Sequence, residues 1–166
     1  CVPLGRVKKS KYIRDLLAKS GVASEMGFLF FQSNSGFENI NDDVHPDEKD
    51  STVIRGHSTE FVGEVKGRDA LIITDIVDTG TRVTQAANHL RSLGANRIYA
   101  LTSHALLSGN AVEQINKSAL DELVVFNTIP HGADKDTPKI RTLTIAPLIA
   151  ETISRVHTRG SIKELY

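Results

Sequence analysis

The clearest concentration of chemically useful side chains lies in the segment Ile72–Arg82, with the sequence IITDIVDTGTR. Asp75 and Asp78 carry carboxylates, which accept hydrogen bonds when ionised and donate none. They therefore suit the hydroxyl groups of a ribose and do not suit a phosphate. The next residues have the opposite character, because Thr79 and Thr81 can donate hydrogen bonds from their hydroxyl groups.

A phosphate is bound well where backbone N–H groups converge at the start of a helix, since the helix dipole adds positive potential there. Gly80 lets the backbone approach a ligand closely, and Arg82 could add a charged contact. A lone Asp-Thr-Gly after a strand can also be a turn with a helix cap. The chain has no GxxxxGK[ST] or GxGxxG loop. We therefore predict a ribose-5-phosphate loop, with the sugar at Asp75 and Asp78 and the phosphate at Thr79–Arg82.

The elements around this segment are those that would position such a loop. The continuous apolar run Ala70–Ile73 predicts a strand of a parallel sheet. Apolar residues spaced at helical intervals from Val83 to Leu93 predict a helix that ends at Gly94. Strands and helices alternate along the rest of the chain, so we predict an α/β fold with a doubly wound parallel sheet. The other expected strands are 28–31, 97–102, 123–126 and 140–144, and the other expected helices are 7–19, 109–116 and 147–156.

Composition limits the function classes. The 166 residues fit one domain over 1–166, and 20 basic residues balance 20 acidic ones, so we expect no nucleic-acid partner. No apolar run is long enough to span a membrane. The single cysteine suits a cytoplasmic location. The acidic segment at about 32–51 has few core-forming residues and is predicted to be a mobile loop. The opening Cys-Val-Pro indicates the C-terminal part of a longer chain.

The motifs together resemble a known family. The loop ITDIVDTGT is similar to the phosphoribosyl-diphosphate (PRPP) loop of type I phosphoribosyltransferases. The surrounding chain resembles the C-terminal half of ribose-phosphate diphosphokinase, also called PRPP synthetase, in detail over about 60–166. The segments that carry this resemblance are Gly63–Gly67 (GEVKG), Ser103–Gly109 (SHALLSG), Asn127–Pro130 (NTIP) and Ala146–Glu151 (APLIAE).

The resemblance implies a type I phosphoribosyltransferase fold and transfer of diphosphate from ATP to ribose 5-phosphate, with Mg²⁺ accompanying the ATP. It also implies a homo-oligomer, or a hetero-oligomer with synthetase paralogues. The family's diphosphate loop matches the region of Gly5, where Arg6 and Lys8 are candidate diphosphate contacts. A solvated helix face explains these basic residues equally well. No side-chain metal site is expected, because the acidic segment lacks EF-hand spacing.

One departure from the family pattern leaves the catalytic residues unknown. The family's catalytic loop begins with a Lys-Arg pair, whereas the matching position here is Gln32-Ser33-Asn34, with no lysine or arginine before Lys49. Loss of a cation there removes a stabiliser of transition-state charge. A non-catalytic, synthetase-associated regulatory subunit is therefore the main alternative. A nucleobase phosphoribosyltransferase is a weaker one, since 100–166 follow the synthetase pattern. For His104, a structural histidine is favoured over a catalytic one.

Overall fold

Parallel strand pairing organises the molecule. The computed structural model describes residues 2–3, 7–33, 57–132, 135 and 137–165. In chain order, the elements are β1 (Val2–Pro3), α1 (Val7–Lys19), β2 (Phe28–Ser33), β3 (His57–Val62), β4 (Ala70–Val77), α2 (Thr81–Ser92), β5 (Ile98–Ala105), α3 (Ala111–Lys117), β6 (Glu122–Phe126), β7 (Ile140–Leu143), α4 (Ala146–His157) and a 3₁₀ turn (Lys163–Leu165).

The main sheet has the strand order β1-β4-β5-β6-β7, and every neighbouring pair in it is parallel. A separate antiparallel ribbon is formed by β2 and β3. The predicted α/β class with a parallel sheet is confirmed. Strand β4 lies between β1 and β5 and is parallel to both. The loop that follows β4 therefore lies at the edge of the sheet where the carboxyl ends of β1 and β5 also point. Parallel sheets gather their ligands at this edge.

One face of the sheet is the hydrophobic core. Ile72, Ala100 and Leu123 are fully buried on this face. They pack in one cluster with the inner side of α2, where Ala87 and Leu90 are also fully buried. The opposite face is only half-buried, as the alternating burial along β4 and β5 shows. The core therefore fixes the start of α2 against β4, which is where the predicted binding loop lies.

Helix α4 has a different environment. None of its residues is buried, and its apolar side chains Leu148, Ile149, Ile153 and Val156 are between 46% and 63% exposed. Across the described ranges, no helix combines the length and apolar character needed to cross a membrane.

The predicted elements differ from the observed ones at β4, which continues to Val77, four residues beyond the predicted run Ala70–Ile73, and at the ribbon. Strand 28–31 was expected to be buried and to end before Gln32, but it continues to Ser33 and Phe30 is 53% exposed. The reason is pairing with β3, a strand that was not predicted, since Gln32 and Ser33 lie opposite Ser58 and His57. Gln32 and Ser33, at the start of the acidic loop predicted at about 32–51, thus belong to β2. The remainder of that loop, from residue 34, lies outside the described residues.

Helix α3 begins at Ala111, later than expected, because Gly109 adopts a positive φ of 59° that is incompatible with the helix. The short strand β1 was also missed, since two residues are too few to show a pattern.

Arg91, near the end of α2, ties that helix to the next turns of the chain. Its guanidinium donates to the carbonyl oxygens of Ala95 (3.1 Å), Asn96 and Ala119 (3.1 Å) and to the carboxylate of Asp121 (2.7 Å). The same carboxylate oxygen of Asp121 accepts from the N–H of Ile98 at 2.7 Å. One side chain thus joins the end of α2 to the start of β5 and the turn before β6.

Replacing Arg91 by methionine should lower the free energy of unfolding by about 2 kcal/mol, because it leaves several carbonyl groups and a carboxylate without their donor. The measurement is a urea titration of the chain. Arg14→Met is the matched control, since the Arg14 side chain is about as exposed as that of Arg91 and pairs at 2.8 Å with Asp15, its neighbour in the sequence, so that this pair joins no separate elements. The control should change stability by less than about 0.5 kcal/mol. Equal losses of unfolding free energy in the two variants would contradict the conclusion that Arg91 joins α2 to β5 and the turn before β6.

Candidate functional site

A cleft of about 460 Å³ opens at the carboxyl end of β4. It is lined by Thr74, by every residue from Ile76 to Val83, by Gln85 of α2 and by Phe31 of β2. The predicted residues Asp78, Thr79, Gly80, Thr81 and Arg82 are thus brought together around one space. The antiparallel ribbon contributes Phe31 as an apolar wall, which the sequence did not indicate.

Asp75 occupies a different position from the other predicted residues. It is exposed near the end of β4 and does not line the cleft, although its neighbours Thr74 and Ile76 do. Its assignment to the ribose stays a prediction.

Gly80 sets the conformation of the loop. Its φ is +80°, in the left-handed region, and it is the cap residue of α2. Its carbonyl accepts the first helical hydrogen bond from the N–H of Thr84 at 3.0 Å. No side chain caps this helix start among the described residues. The first N–H groups of α2 therefore have no competing side-chain acceptor and can turn to a ligand.

The segment after β5 holds the loop from behind. The N–H of Leu106 donates to the carbonyl of Val77 at 2.8 Å, and the N–H of Ser108 donates to the carbonyl of Asp78 at 3.0 Å. Leu107, between them, has a positive φ of 53° and a side chain that is only 1% exposed. These bonds occupy carbonyl oxygens of the loop. Acceptors that would repel an anion are thus tied to the protein, while the N–H groups beyond them are not.

The threonine hydroxyls of the loop form a connected set. The Oγ1 atoms of Thr79 and Thr81 are 3.1 Å apart, and Thr81 Oγ1 is 3.5 Å from the side-chain oxygen of Gln114 on α3. The amide nitrogen of Gln114 donates to Asn110 Oδ1 at 2.7 Å. Gln114 and Asn110 were not predicted. They reach the loop only through the packing of α3 beside α2, for which the sequence carries no local signal.

The predicted diphosphate segment is only partly described. Gly5 and Arg6 lie outside the described residues, and Lys8 belongs to the first turn of α1. Strand β1 pairs in parallel with β4, with Pro3 opposite Ile73. It therefore ends at the same edge of the sheet as the cleft, which is the placement that a diphosphate contact at 5–8 requires. The contact itself stays a prediction.

His104 is hydrogen-bonded at the end of β5. Its Nδ1 is 2.9 Å from Thr128 Oγ1, and Thr128 donates its own hydroxyl proton to the carbonyl of Ser103 at 2.7 Å. Because a hydroxyl has one proton, Nδ1 of His104 is the donor to Thr128. The ring thus links β5 to the turn after β6, as expected of a structural histidine.

A second cavity, of about 580 Å³, lies at the opposite, amino end of β4. Its wall includes Arg68, whose guanidinium contacts Glu25 at 2.8 Å and Glu64 at 3.3 Å. The hydrogen bond and charge of Glu25, followed by the charge of Glu64, raise the pKa of Arg68. The cation is therefore paired within the protein. This end of a parallel sheet is also not where ligands gather.

Three comparisons with known proteins agree with one another. A family model described as "Phosphoribosyl synthetase-associated domain" matches residues 49–166. The ribose-phosphate pyrophosphokinase of Wolinella succinogenes is 35% identical over 159 residues, which cover 95% of this chain and 50% of the relative. Ribose-phosphate pyrophosphokinase A of Dictyostelium discoideum is 42% identical over 125 residues, which cover 74% of this chain and 38% of the relative.

The fold agrees as well. The crystal structure of phosphoribosylpyrophosphate synthetase from Mycobacterium smegmatis matches with a TM-score of 0.73 and 29% identity, over 96% of this chain and 45% of that chain. The chain thus spans half the length, or less, of the relatives it matches.

Gly80→Ala should lower the free energy of unfolding by about 1 kcal/mol, because an L-residue is strained at positive φ. Gly67→Ala is the matched control, since Gly67 has a similar φ of 71° and open space around its added Cβ. Thermal melting should show similar losses for the two variants. In amide NMR spectra, only Gly80→Ala should shift the resonances of Thr79, Thr81 and Ala111, which the new methyl group contacts at 3.6 Å. If Gly80→Ala melted at the temperature of the unchanged chain and left the amide resonances unshifted, the positive φ of Gly80 and its contact with Ala111 would be contradicted.

Proposed function

Because this chain belongs to the ribose-phosphate pyrophosphokinase (PRPP synthetase) family, we propose that it binds ribose 5-phosphate in the cleft after β4. The bound sugar would receive the diphosphate group of ATP on its anomeric hydroxyl, which gives PRPP for nucleotide biosynthesis and releases AMP. The observation that carries the proposal is the separation of hydrogen-bonding character along the loop. Within the cleft, the acceptor Asp78 comes first in the sequence, and the N–H and hydroxyl donors from Thr79 onward follow it.

In the proposed pose, the 5-phosphate lies at the start of α2. The N–H groups of the first helical turn and the hydroxyls of Thr79 and Thr81 surround it, and Arg82 supplies a positive charge. Gly80 permits close approach because no side chain stands between the backbone and the ligand. Asp78, from within the cleft, and Asp75, near the end of β4, are proposed to accept hydrogen bonds from the ribose hydroxyls. The loop thereby holds the anomeric carbon away from the phosphate and toward the neighbouring strand ends.

Magnesium is proposed to enter with ATP. The donor groups that suit Mg²⁺ here are carboxylates, at Asp78 in the cleft and at Asp75 near the end of β4. Mg²⁺ in phosphoryl-transfer sites is commonly held by substrate phosphate oxygens with one or two carboxylates. The ion neutralises phosphate charge during transfer. Among the described residues, the carboxylates of Asp75 and Asp78 are the ones proposed to contact that ion.

ATP and the oligomer belong to the whole-protein proposal, because the chain spans half or less of its relatives. Gly5, Arg6 and Lys8 are proposed to contact the diphosphate as it is transferred. This assignment is supported by the position of β1 beside β4. Association with further copies, or with synthetase paralogues, is proposed to complete the contacts to ATP.

A regulatory, synthetase-associated role is the second candidate, and one observation favours it. The position where the family's catalytic Lys-Arg pair is expected carries Gln32 and Ser33, which are held in β2 opposite Ser58 and His57. Neither side chain can supply a positive charge. A chain with an intact sugar-phosphate loop and no such cation would bind ribose 5-phosphate and catalyse poorly.

Binding of ribose 5-phosphate tests the site. Thr81→Val removes one hydroxyl donor at nearly constant shape and should weaken binding about 10-fold, as loss of a hydrogen bond to a charged group does. Isothermal titration calorimetry gives the affinity. Thr152→Val is the control, since the hydroxyl of Thr152 bonds within α4 to the carbonyl of Leu148 at 2.7 Å. If both variants bind as tightly as the unchanged chain, the phosphate lies elsewhere.

A chimera tests catalysis. In it, this chain replaces the aligned half of the Wolinella succinogenes enzyme, and phosphorus NMR follows AMP and PRPP after addition of Mg–ATP and ribose 5-phosphate. The synthetase proposal predicts AMP formation that falls at least about 100-fold in Asp78→Ala, which removes a sugar contact at the reacting centre. Retained ribose-5-phosphate binding without AMP would instead support the regulatory role. Unchanged turnover in Asp78→Ala would contradict the site assignment.

A further inference from the structure

Gln114 connects α3 to the proposed phosphate loop. Its side-chain oxygen is 3.5 Å from Thr81 Oγ1, and its side-chain nitrogen donates to Asn110 Oδ1 at 2.7 Å. Thr81 Oγ1 is in turn 3.1 Å from Thr79 Oγ1. Four side chains from the loop, the start of α2 and α3 therefore form one continuous relay, which we call the amide–hydroxyl relay (Thr79, Thr81, Gln114 and Asn110).

The direction of each proton in the relay follows from counting donors. The amide oxygen of Gln114 can only accept, so Thr81 donates its single hydroxyl proton to it. The oxygen of Thr81 must then accept from Thr79. Both hydroxyl protons are thereby directed into the protein. A phosphate monoester dianion offers acceptor oxygens only, so these protons have to turn before either hydroxyl can donate to it.

We propose that Gln114 is a positioning residue that sets the direction of the Thr79 and Thr81 protons, and that its amide turns end for end when a phosphate binds. This inference rests on the proposed function, since it places the 5-phosphate at these hydroxyls. In the turned state, the amide nitrogen donates to Thr81 Oγ1. Thr81 then directs its own proton to the phosphate, and Thr79 is released to do the same.

Asn110 lowers the free-energy cost of turning the Gln114 amide. A primary amide carries an acceptor and a donor group of nearly equal reach. When Gln114 presents its oxygen to Asn110, Asn110 can present its nitrogen in return, so the pair keeps its hydrogen bond. The contact that is given up, between Thr81 and the oxygen of Gln114, is long at 3.5 Å and therefore weak. The relay thus exchanges a poor internal bond for donors aimed at the ligand.

The relay also predicts which ionic form of the ligand is preferred. A cradle that presents donors selects the unprotonated dianion, whereas a cradle that presents an acceptor favours a phosphate with its own proton. Gln114→Glu creates the second kind, because a carboxylate can only accept. Asp78 and Arg82 at the loop, and Glu113 with its partner Lys117 on α3, are charged groups on the same elements. They are common to all variants, so a difference between pH profiles isolates the residue at 114.

The test is calorimetric titration of the 166-residue chain with ribose 5-phosphate at about pH 8, where the ester is a dianion, and at about pH 5, where it carries one proton. At the higher pH, Gln114→Glu should weaken binding about 30-fold, and at the lower pH less than about 5-fold. Asn110→Leu, which removes the partner of the turning amide, should weaken binding about 3-fold at the higher pH.

Asn116→Asp is the matched control. It adds the same charge on α3 and keeps an oxygen to accept from the hydroxyl of Thr137, so affinity should stay within about 2-fold of the unchanged chain. Thermal melting checks that each variant folds. If Gln114→Glu does not fold, the affinity of Asn110→Leu tests the inference.

Equal effects of Gln114→Glu and Asn116→Asp would overturn the inference, and so would a loss of equal size at the two pH values. Unchanged affinity in Asn110→Leu would also contradict it. If the unchanged chain fails to bind ribose 5-phosphate, the proposed function fails and the inference with it. If it binds and the Gln114 variant behaves as the control, the inference alone fails.

Discussion

Backbone hydrogen bonds between two neighbouring loops are the constraint on which the cleft depends. The N–H groups of Leu106 and Ser108, which follow β5, hold the carbonyl groups of Val77 and Asp78 at the end of β4. They fix where the chain turns into α2 and occupy acceptors that would oppose an anion. Their geometry requires a left-handed residue at position 107, and the full burial of the Leu107 side chain offsets that strain. The segment SHALLSG thus has a physical role behind its resemblance to the family pattern.

The cleft that these hydrogen bonds position has two parts of different hydrogen-bonding character. In the proposed pose, the carboxylate of Asp78 accepts hydrogen bonds from the sugar hydroxyls, and the donors from Thr79 onward bind the phosphate. The core supports this division, because buried apolar side chains fix α2 against the sheet directly behind the loop. The ribbon closes one wall with Phe31. At the position of the family's catalytic Lys-Arg pair this chain carries Gln32 and Ser33, which is why binding and catalysis are separate questions for this chain.

Local patterns predicted the start of β4 and most of α2, because an apolar run and helical apolar spacing act over short sequence distances. Strand β4 continues four residues beyond the predicted run Ala70–Ile73, to Val77, so Asp75 belongs to the strand and not to the loop. Strand β3 was missed because its residues are largely polar. Its pairing partner β2 is also distant in the sequence, on the other side of the acidic segment. Gln114 was missed because its contact with Thr81 depends on how α3 packs beside α2. The assignment of Asp75 to the ribose stays a prediction, since Asp75 is exposed near the end of β4 and is not among the residues that line the cleft. Contacts made through packing are thus what the sequence leaves open.

The most direct measurement of the central claim is a crystal structure of the chain with ribose 5-phosphate. The expected result places the phosphate within hydrogen-bonding distance of the N–H groups and hydroxyls of 79–82, with ribose hydroxyls at Asp78. A phosphate bound instead in the second cavity beside Arg68, or a cleft that stays without ligand at saturating concentration, would contradict the assignment of this loop as a ribose-5-phosphate site.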